Sequence, residues 1–249
     1  MKLDDWEEIS DDEKSSLPYR PARAFKGDDE ISIETDPTPS YEDAVSTAPR
    51  DASLPPRLQV IGATWGGVNV TGEVAAMADQ ERQTLLLNMS MLKYTLLPDP
   101  AYGLVKSMTV LYRYEDEAEL RLLNVSEDAL AVRVSATAHE SPPEYAMAKF
   151  TTIGGAAGAW RDGPKAQVEI VAVTYGPQRI QTPAVLQELA MFFEGRRGQI
   201  RMTNSFFRTD PWVDHKKSWT IYFRFVDSKH IQCVTGMEDG ALEVPWTRY

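Results

Sequence analysis

The chain has 249 residues, which is enough for one large domain or two modest domains with a tail. Apolar residues make up 43% of it, but no run approaches the roughly 18 consecutive apolar residues that suggest a transmembrane segment. Its net charge of −11 disfavours nucleic acid as a partner, because phosphate binding needs a cationic surface that can release counterions.

Residues 1–56 are predicted to form a disordered acidic tail. Residues 1–51 carry 15 acidic and 6 basic side chains, whereas the remaining residues carry 22 and 20. This segment is rich in Asp, Ser and Pro and has no sustained apolar periodicity, so it cannot bury enough surface to offset the entropy of ordering. Nearly all of the net charge therefore belongs to the tail.

The start of the tail contains a short motif with an aromatic and an aliphatic residue between acidic side chains. Its residues are Asp4, Asp5, Trp6, Glu7, Glu8 and Ile9. The pattern fits the segments that bind ubiquitin-like modifiers of autophagy, in which an extended strand adds to a sheet edge and two apolar side chains enter pockets. Ser10 is followed by acidic residues and is a candidate phosphorylation site. The simpler interpretation is an acidic tail with an incidental tryptophan.

After the tail, short β-prone runs alternate with Gly, Pro and Asn. The first runs lie at residues 59–61, 85–88, 109–114 and 120–125, with a short helical stretch from Thr71 through Val74 to Met77. Residues 137–165 are assigned to a linker, within which residues 145–153 are expected to add a strand. In the second half, Thr182 and Pro183 are typical of a helix start, and Gly195 is typical of its end. Further strands are expected at residues 199–202, 220–225, 231–234 and 242–244.

The second half of the chain repeats the first at a nearly constant offset. Residues 63–66 (Ala-Thr-Trp-Gly) return 110 positions later as residues 173–176 (Val-Thr-Tyr-Gly). The pairs Asp99-Pro100 and Lys106-Ser107 return 111 positions later, as does the run at residues 109–114. We therefore predict two tandem homologous domains, at residues 57–136 and 166–249. Each is expected to be mainly β and β-sandwich-like, with one short helix per repeat.

The repeated pattern resembles a known domain of unknown function. An apolar strand, an aromatic-Gly turn, a helical stretch, an Asp-Pro loop and a Lys-led strand are similar to the carboxy-terminal domain of the mitochondrial J-protein family numbered eleven in DnaJ subfamily C, and similar domains occur in fungal proteins. The second copy carries the likeness best, through residues 173–176, 210–211, 217–225, 230 and 239–245. The chain has no His-Pro-Asp motif, so the resemblance implies a fold and a module type but no co-chaperone activity.

The sequence offers few residues for catalysis or metal binding. The densest candidate is Asp210, Asp214 and His215, but Gly103 and Leu104 stand at the positions equivalent to the last two, which favours a solvated loop. Arg196, Arg197, Arg201 and Arg208 are either a local basic patch or, as the simpler interpretation that we favour, solvated charges that flank strands. We predict no catalytic residue, no metal site and no cofactor.

The sequence leaves three function classes open, and its cysteine content indicates a cellular location. Cys233 is the only cysteine, which excludes an internal disulfide framework and fits a cytoplasmic protein. The leading hypothesis is a non-enzymatic adaptor or scaffold that binds protein partners through its β-rich modules, with the tail recruiting an autophagy modifier. The alternatives are a self-assembling structural or coat subunit, which would be a homo-oligomer, and an enzyme of unrecognised type.

Overall fold

The computed structural model describes residues 56–96, 98–115, 117–135, 139–140, 148–153 and 167–243. In this part of the chain, strands contain far more residues than helices, and neighbouring strands are antiparallel. The predicted mainly β fold is therefore confirmed. The predicted tail lies outside the described residues, apart from Pro56.

The larger sheet is formed by the first half of the chain and has five strands in the order β2-β1-β4-β5-β8. The bounds are Leu58–Trp65 for β1, Val68–Asn69 for β2, Ser107–Tyr114 for β4, Leu120–Ser126 for β5 and Lys149–Ile153 for β8. The central strand β4 is rich in β-branched and aromatic residues, which suit a sheet covered on both faces. β8 is the strand expected inside the linker segment, and it pairs with β5.

The second half of the chain forms a four-stranded sheet in the order β10-β9-β11-β12. The bounds are Val168–Tyr175 for β9, Gln178–Arg179 for β10, Ser218–Phe225 for β11 and Gln232–Met237 for β12. β11 pairs with β12 in the register that β4 uses with β5, shifted by 111 residues. A register shift occurs at Ile61 in β1 and again at Val171 in β9, so a bulge also recurs at the equivalent position.

A small sheet contains β3 (Leu85–Asn88), β6 (Ala131–Val134) and β7 (His139–Glu140). β3 lies where a strand was predicted. The strand predicted at residues 199–202 is wrong, because the second half has only an isolated bridge between Arg201 and Ala241. Helical backbone begins at Asn204, directly after the cap residue Thr203, so little extended chain remains there to pair.

In the described part of the chain, each half contains two helices, one more than was predicted. They are α1 (Thr71–Ala76), α2 (Met89–Thr95), α3 (Pro183–Phe193) and α4 (Asn204–Phe207). α3 begins after Thr182 with Pro183 in its first turn, and Gly195 follows it with a φ of 68°, as the sequence indicates. α4 has four residues, too few for an apolar period, and α2 begins at the residue directly after β3, with no turn residue between the two elements.

The two large sheets face each other across an interface with polar and apolar parts. Three hydroxyl pairs cross it: Ser107 and Ser218 at 2.9 Å, Thr64 and Thr220 at 2.7 Å, and Thr109 and Thr174 at 3.3 Å. An apolar cluster fills the rest and includes Leu111, Leu122, Val171 and Tyr222. The sheets are therefore held by packing together with buried hydrogen bonds.

Two further apolar clusters lie on the other sides of the sheets. One belongs to the first half and includes Trp65, Val74 and Leu87; the other belongs to the second half and includes Tyr175, Leu189 and Phe207. All the described residues belong to one compact unit, which spans Arg50–Tyr249. The division into separate domains at residues 57–136 and 166–249 stays a prediction.

Candidate binding groove

The end of α3 directs a run of arginines towards the surface. The helix stops at Phe193, and the turn through Gly195 is closed by a hydrogen bond from the Arg196 backbone amide to the Met191 carbonyl at 2.8 Å. Glycine suits this turn because its φ is positive. The guanidinium of Arg196 donates to the carboxylate of Glu194, whereas that of Arg197 lies beside Glu188 of α3.

An open groove of about 360 Å³ lies beside this turn. Its walls come from the last part of α3, the extended segment at residues 197–203 and helix α4. The lining residues are Glu188, Arg197, Gln199, Ile200, Arg201, Thr203, Ser205, Phe206 and Arg208. The structure therefore brings together three of the four arginines in the predicted basic patch, and Arg196 is not among the lining residues. The solvated-charge interpretation that we favoured misses this convergence.

The charge of the groove is positive. Glu188 is the one acidic side chain in its wall, and its carboxylate lies 2.9 Å from the Arg197 guanidinium and 3.8 Å from that of Arg208. Arg197 and Arg208 therefore share one carboxylate, and each guanidinium keeps N–H donors that can bind a ligand. Arg201 is exposed and forms no ion pair with any other residue that the structure describes. Guanidinium groups bind carboxylates and phosphates through paired N–H donors, so the groove suits an anionic ligand.

Two local features fix the far wall. Thr203 caps α4 by accepting a hydrogen bond from the Phe206 amide at 3.3 Å, and its hydroxyl lies 2.9 Å from that of Ser205. Arg208 ends α4 in a left-handed conformation, with a φ of 58°. Non-glycine residues adopt this conformation at a cost, and Asn, Asp or Gly would be the usual choice. An arginine is thus retained at a position where the backbone favours a smaller residue.

The first half of the chain shows that the fold does not require these arginines. Asn88 pairs with Ala131 as Arg201 pairs with Ala241, so Asn88 occupies the position equivalent to Arg201. Met89 and Met202 follow and are both fully buried, which supports this alignment. The first half therefore has an uncharged residue where the groove has Arg201.

Two buried lysines recur at equivalent positions and have a structural role. The Lys106 ammonium lies 3.3 Å from Asp99 and 3.2 Å from Glu127 and donates to the carbonyls of Ala101 and Leu104. The Lys217 ammonium lies 3.0 Å from Asp210 and 3.2 Å from Glu238 and donates to two carbonyls of its own loop, those of Trp212 and His215. Each ammonium therefore closes its Asp-Pro loop and uses its donors within the fold.

The cluster of Asp210, Asp214 and His215 does not form a metal site. Asp210 bonds Lys217, which lowers the pKa of its carboxyl, and the His215 ring stacks on Trp212 with its Nδ1 atom 2.9 Å from the Val213 carbonyl. Within the described ranges, no three His, Cys, Asp or Glu side chains are grouped so that they could hold a metal ion. The solvated-loop interpretation agrees with this geometry.

Cys233 and three aromatic residues, Trp65, Tyr175 and Trp219, belong to the framework of the sheets. Burial raises the pKa of the Cys233 thiol to about 12, so the thiol is protonated at neutral pH and is a poor nucleophile. Trp65, Tyr175 and Trp219 are buried, so they pack the cores rather than line a ligand groove. Trp212 is partly exposed and stacks on His215.

The motif formed by Asp4, Asp5, Trp6, Glu7, Glu8 and Ile9, together with Ser10, lies outside the described residues. Among the helices that the structure does describe, none is long and apolar enough to cross a membrane.

Comparison with known proteins adds no assignment to this geometry. No family model, no curated protein and no solved structure matches the chain. The class that the fold defines is thus a mainly β protein with two facing antiparallel sheets and a positive groove. The resemblance to the J-protein carboxy-terminal domain stays a prediction.

Proposed function

We propose that this protein is a non-enzymatic adaptor whose arginine groove binds an acidic segment of a partner protein. The observation that carries the proposal is the convergence of Arg197, Arg201 and Arg208 on one groove, although the chain outside the tail is close to neutral. Three guanidinium groups spaced along an open groove fit the carboxylates of an extended acidic peptide.

The surroundings of the side chains that could act in catalysis support an adaptor rather than an enzyme. Lys106 and Lys217 are both buried and each faces two carboxylates, so neither offers a free amine. The Cys233 thiol stays protonated at neutral pH. Catalytic sites normally need titratable groups in a cleft with shifted pKa values, and the groove offers guanidiniums, hydroxyls and one paired carboxylate instead.

The proposal keeps the tail motif as a second contact. Trp6 and Ile9 would recruit an autophagy modifier while the groove holds another protein, so that the chain links two partners in the cytoplasm. The motif and the groove belong to different parts of the sequence, and each contact can be tested without altering the other.

The test measures the binding of the full-length protein to fluorescent peptides. We expect an acidic peptide to bind and a neutral peptide of equal length to bind at least about tenfold more weakly. Arg201→Glu should abolish binding because it reverses the charge of an exposed groove residue. Arg82→Glu is the matched control, since Arg82 is an exposed arginine of the first half. Added salt should weaken the binding through screening.

Two results would contradict the adaptor. Equal affinity of wild type and Arg201→Glu for the acidic peptide would show that the groove is not the binding site. Binding of a single-stranded RNA oligonucleotide in preference to the acidic peptide would assign the groove to nucleic acid.

A further inference from the structure

The two halves of the chain differ at one sheet edge. In the first half, β5 is followed in the sheet by β8, which pairs with residues 120–124 in antiparallel register. In the second half, β12 occupies the place of β5, because both pair with the preceding long strand in the same register. No described strand lies beside β12 on its outer side. Among the described residues, the edge at residues 231–235 is therefore open where its counterpart is covered.

The burial of the two strands reflects this difference. Leu122, Leu123 and Asn124 of β5 are almost completely buried, at 1%, 0% and 2% exposure. The residues at the equivalent positions of β12, from Cys233 to Thr235, are all partly exposed. One additional strand would give β12 the environment that β8 gives to β5.

The open edge lacks the usual protection against pairing. Edge strands of monomeric proteins commonly carry a lysine, a proline or a pronounced bulge that prevents association. β12 reads Gln-Cys-Val-Thr-Gly-Met, without charge or proline, and its pairing with β11 shows no register shift. The far end of the strand faces the turn before β2, where a side chain on Gly67 would lie 2.9 Å from the Gly236 backbone. Residues 231–235 remain available.

The charges at the two ends of β12 favour an antiparallel copy of the same strand. Lys229 precedes the strand and Asp239 follows it, and both are exposed; Asp227 is a further exposed charge before the strand, and Glu238 already contacts the Lys217 ammonium. In an antiparallel pair, Lys229 of one strand lies near Asp239 of the other, whereas a parallel pair would place each beside its own copy. The strand is thus complementary to itself across a two-fold axis.

We propose that β12 pairs with β12 of a second copy, forming a homodimer with one continuous sheet of eight strands. The dimer goes beyond the adaptor function, since it places two arginine grooves in one particle. An acidic partner with two binding segments could then occupy both grooves, which raises its apparent affinity without new contacts.

The first experiment measures the oligomeric state of the full chain by sedimentation from about 1 to 100 μM at physiological salt, where exposed charges are largely screened. We expect a concentration-dependent dimer. Gln232→Lys adds a charge to the edge, and because the dimer contains it twice, we expect the dissociation constant to rise by roughly tenfold or more. Gln80→Lys, which makes the same change at an exposed loop residue of the first half, should leave the dimer unchanged.

The second experiment follows hydrogen exchange of the β12 amides, so that the proposal stays testable even if Gln232→Lys proves unstable. We expect residues 231–235 of the wild type to become protected as the concentration rises. A strict monomer up to 100 μM would overturn the proposal. So would a dimer that Gln232→Lys leaves intact, or protection in the monomer of the β12 amides that point away from β11, which would show that the same chain covers its own edge.

Discussion

Lys217 illustrates how a charged side chain is held inside this fold. Its side chain is 2% exposed, and its ammonium contacts Asp210, Glu238 and two backbone carbonyls. It also lies 5.6 Å from the centre of the Tyr175 ring, a favourable position for a cation over an aromatic face. The side chain thereby connects the loop at residues 210–217 to β9 and to the turn after β12.

We predict that Lys217→Met destabilises the protein by about 3 kcal/mol, because it leaves two carboxylates and two carbonyls without their cation. Urea unfolding measures the loss. Lys216→Met is the matched control, since the neighbouring lysine is exposed and should change the free energy of unfolding by less than about 0.5 kcal/mol. Lys106→Met should cost a similar amount to Lys217→Met; a cost near zero would show that the ammonium contacts are not needed for folding.

The backbone conformations of single residues bring Arg197, Arg201 and Arg208 to one groove. The positive φ of Gly195 turns the chain out of α3, the bridge at Arg201 keeps the next segment extended, and the left-handed backbone at Arg208 ends α4. The sequence shows four arginines within thirteen positions. Which of them share a groove depends on these three backbone conformations, and the sequence gives a clear signal only for the first.

At the scale of elements, the contact between β1 and β11 determines how the two sheets fit. The Tyr222 hydroxyl donates to the Gly62 carbonyl at 3.2 Å, and its ring covers Gly62 so closely that a Cβ atom there would lie 2.6 Å from the ring. Complete burial raises the pKa of the Tyr222 hydroxyl well above its ordinary value. Residue 62 must therefore be glycine for the sheets to approach this closely.

We predict that Gly62→Ala destabilises the protein by about 1–3 kcal/mol through overpacking against the Tyr222 ring. Gly72→Ala is the control, because Gly72 lies in helix α1 and a Cβ atom there meets no other atom within 4 Å. Alanine favours the helix at that site, so Gly72→Ala should be neutral or stabilising by up to about 1 kcal/mol. Chemical unfolding compares both variants with the wild type, and an equal effect of the two would contradict the packing argument.

Local sequence signals predicted some elements better than others. Thr182 and Pro183 mark the start of α3 and Gly195 its end, because caps and turns depend on residues close together in the chain. The prediction of a strand at residues 199–202 was wrong. The apolar residues alternate there as in a strand, but helix α4 begins at Asn204, and only Arg201 forms a bridge. Strand formation needs a partner, and the partner is far away in sequence.

At the scale of the whole molecule, the adaptor proposal requires that the tail motif and the groove act independently. We predict that replacing Trp6 and Ile9 with alanine abolishes capture of a ubiquitin-like autophagy modifier by the full chain, because both apolar anchors are lost. Leu17→Ala changes another apolar residue of the tail and should leave capture intact. Binding of the acidic peptide to the groove should be the same in all three proteins. Unchanged capture by the Trp6 and Ile9 variant would remove the motif from the proposal.

The mainly β class, the position of α3 and the repeated pattern that relates the two halves can be read from the amino-acid sequence. These follow from residue type, alternation and short-range caps, which act over a few positions. How the sheets face each other, which arginines line the groove and which described strand has an open edge became visible only in the folded chain. The packing of the sheets depends on residues more than a hundred positions apart, such as Ser107 with Ser218 and Gly62 with Tyr222, whose contacts exist only after packing. The groove depends on backbone conformations at Gly195, Arg201 and Arg208, two of which have no clear local signal.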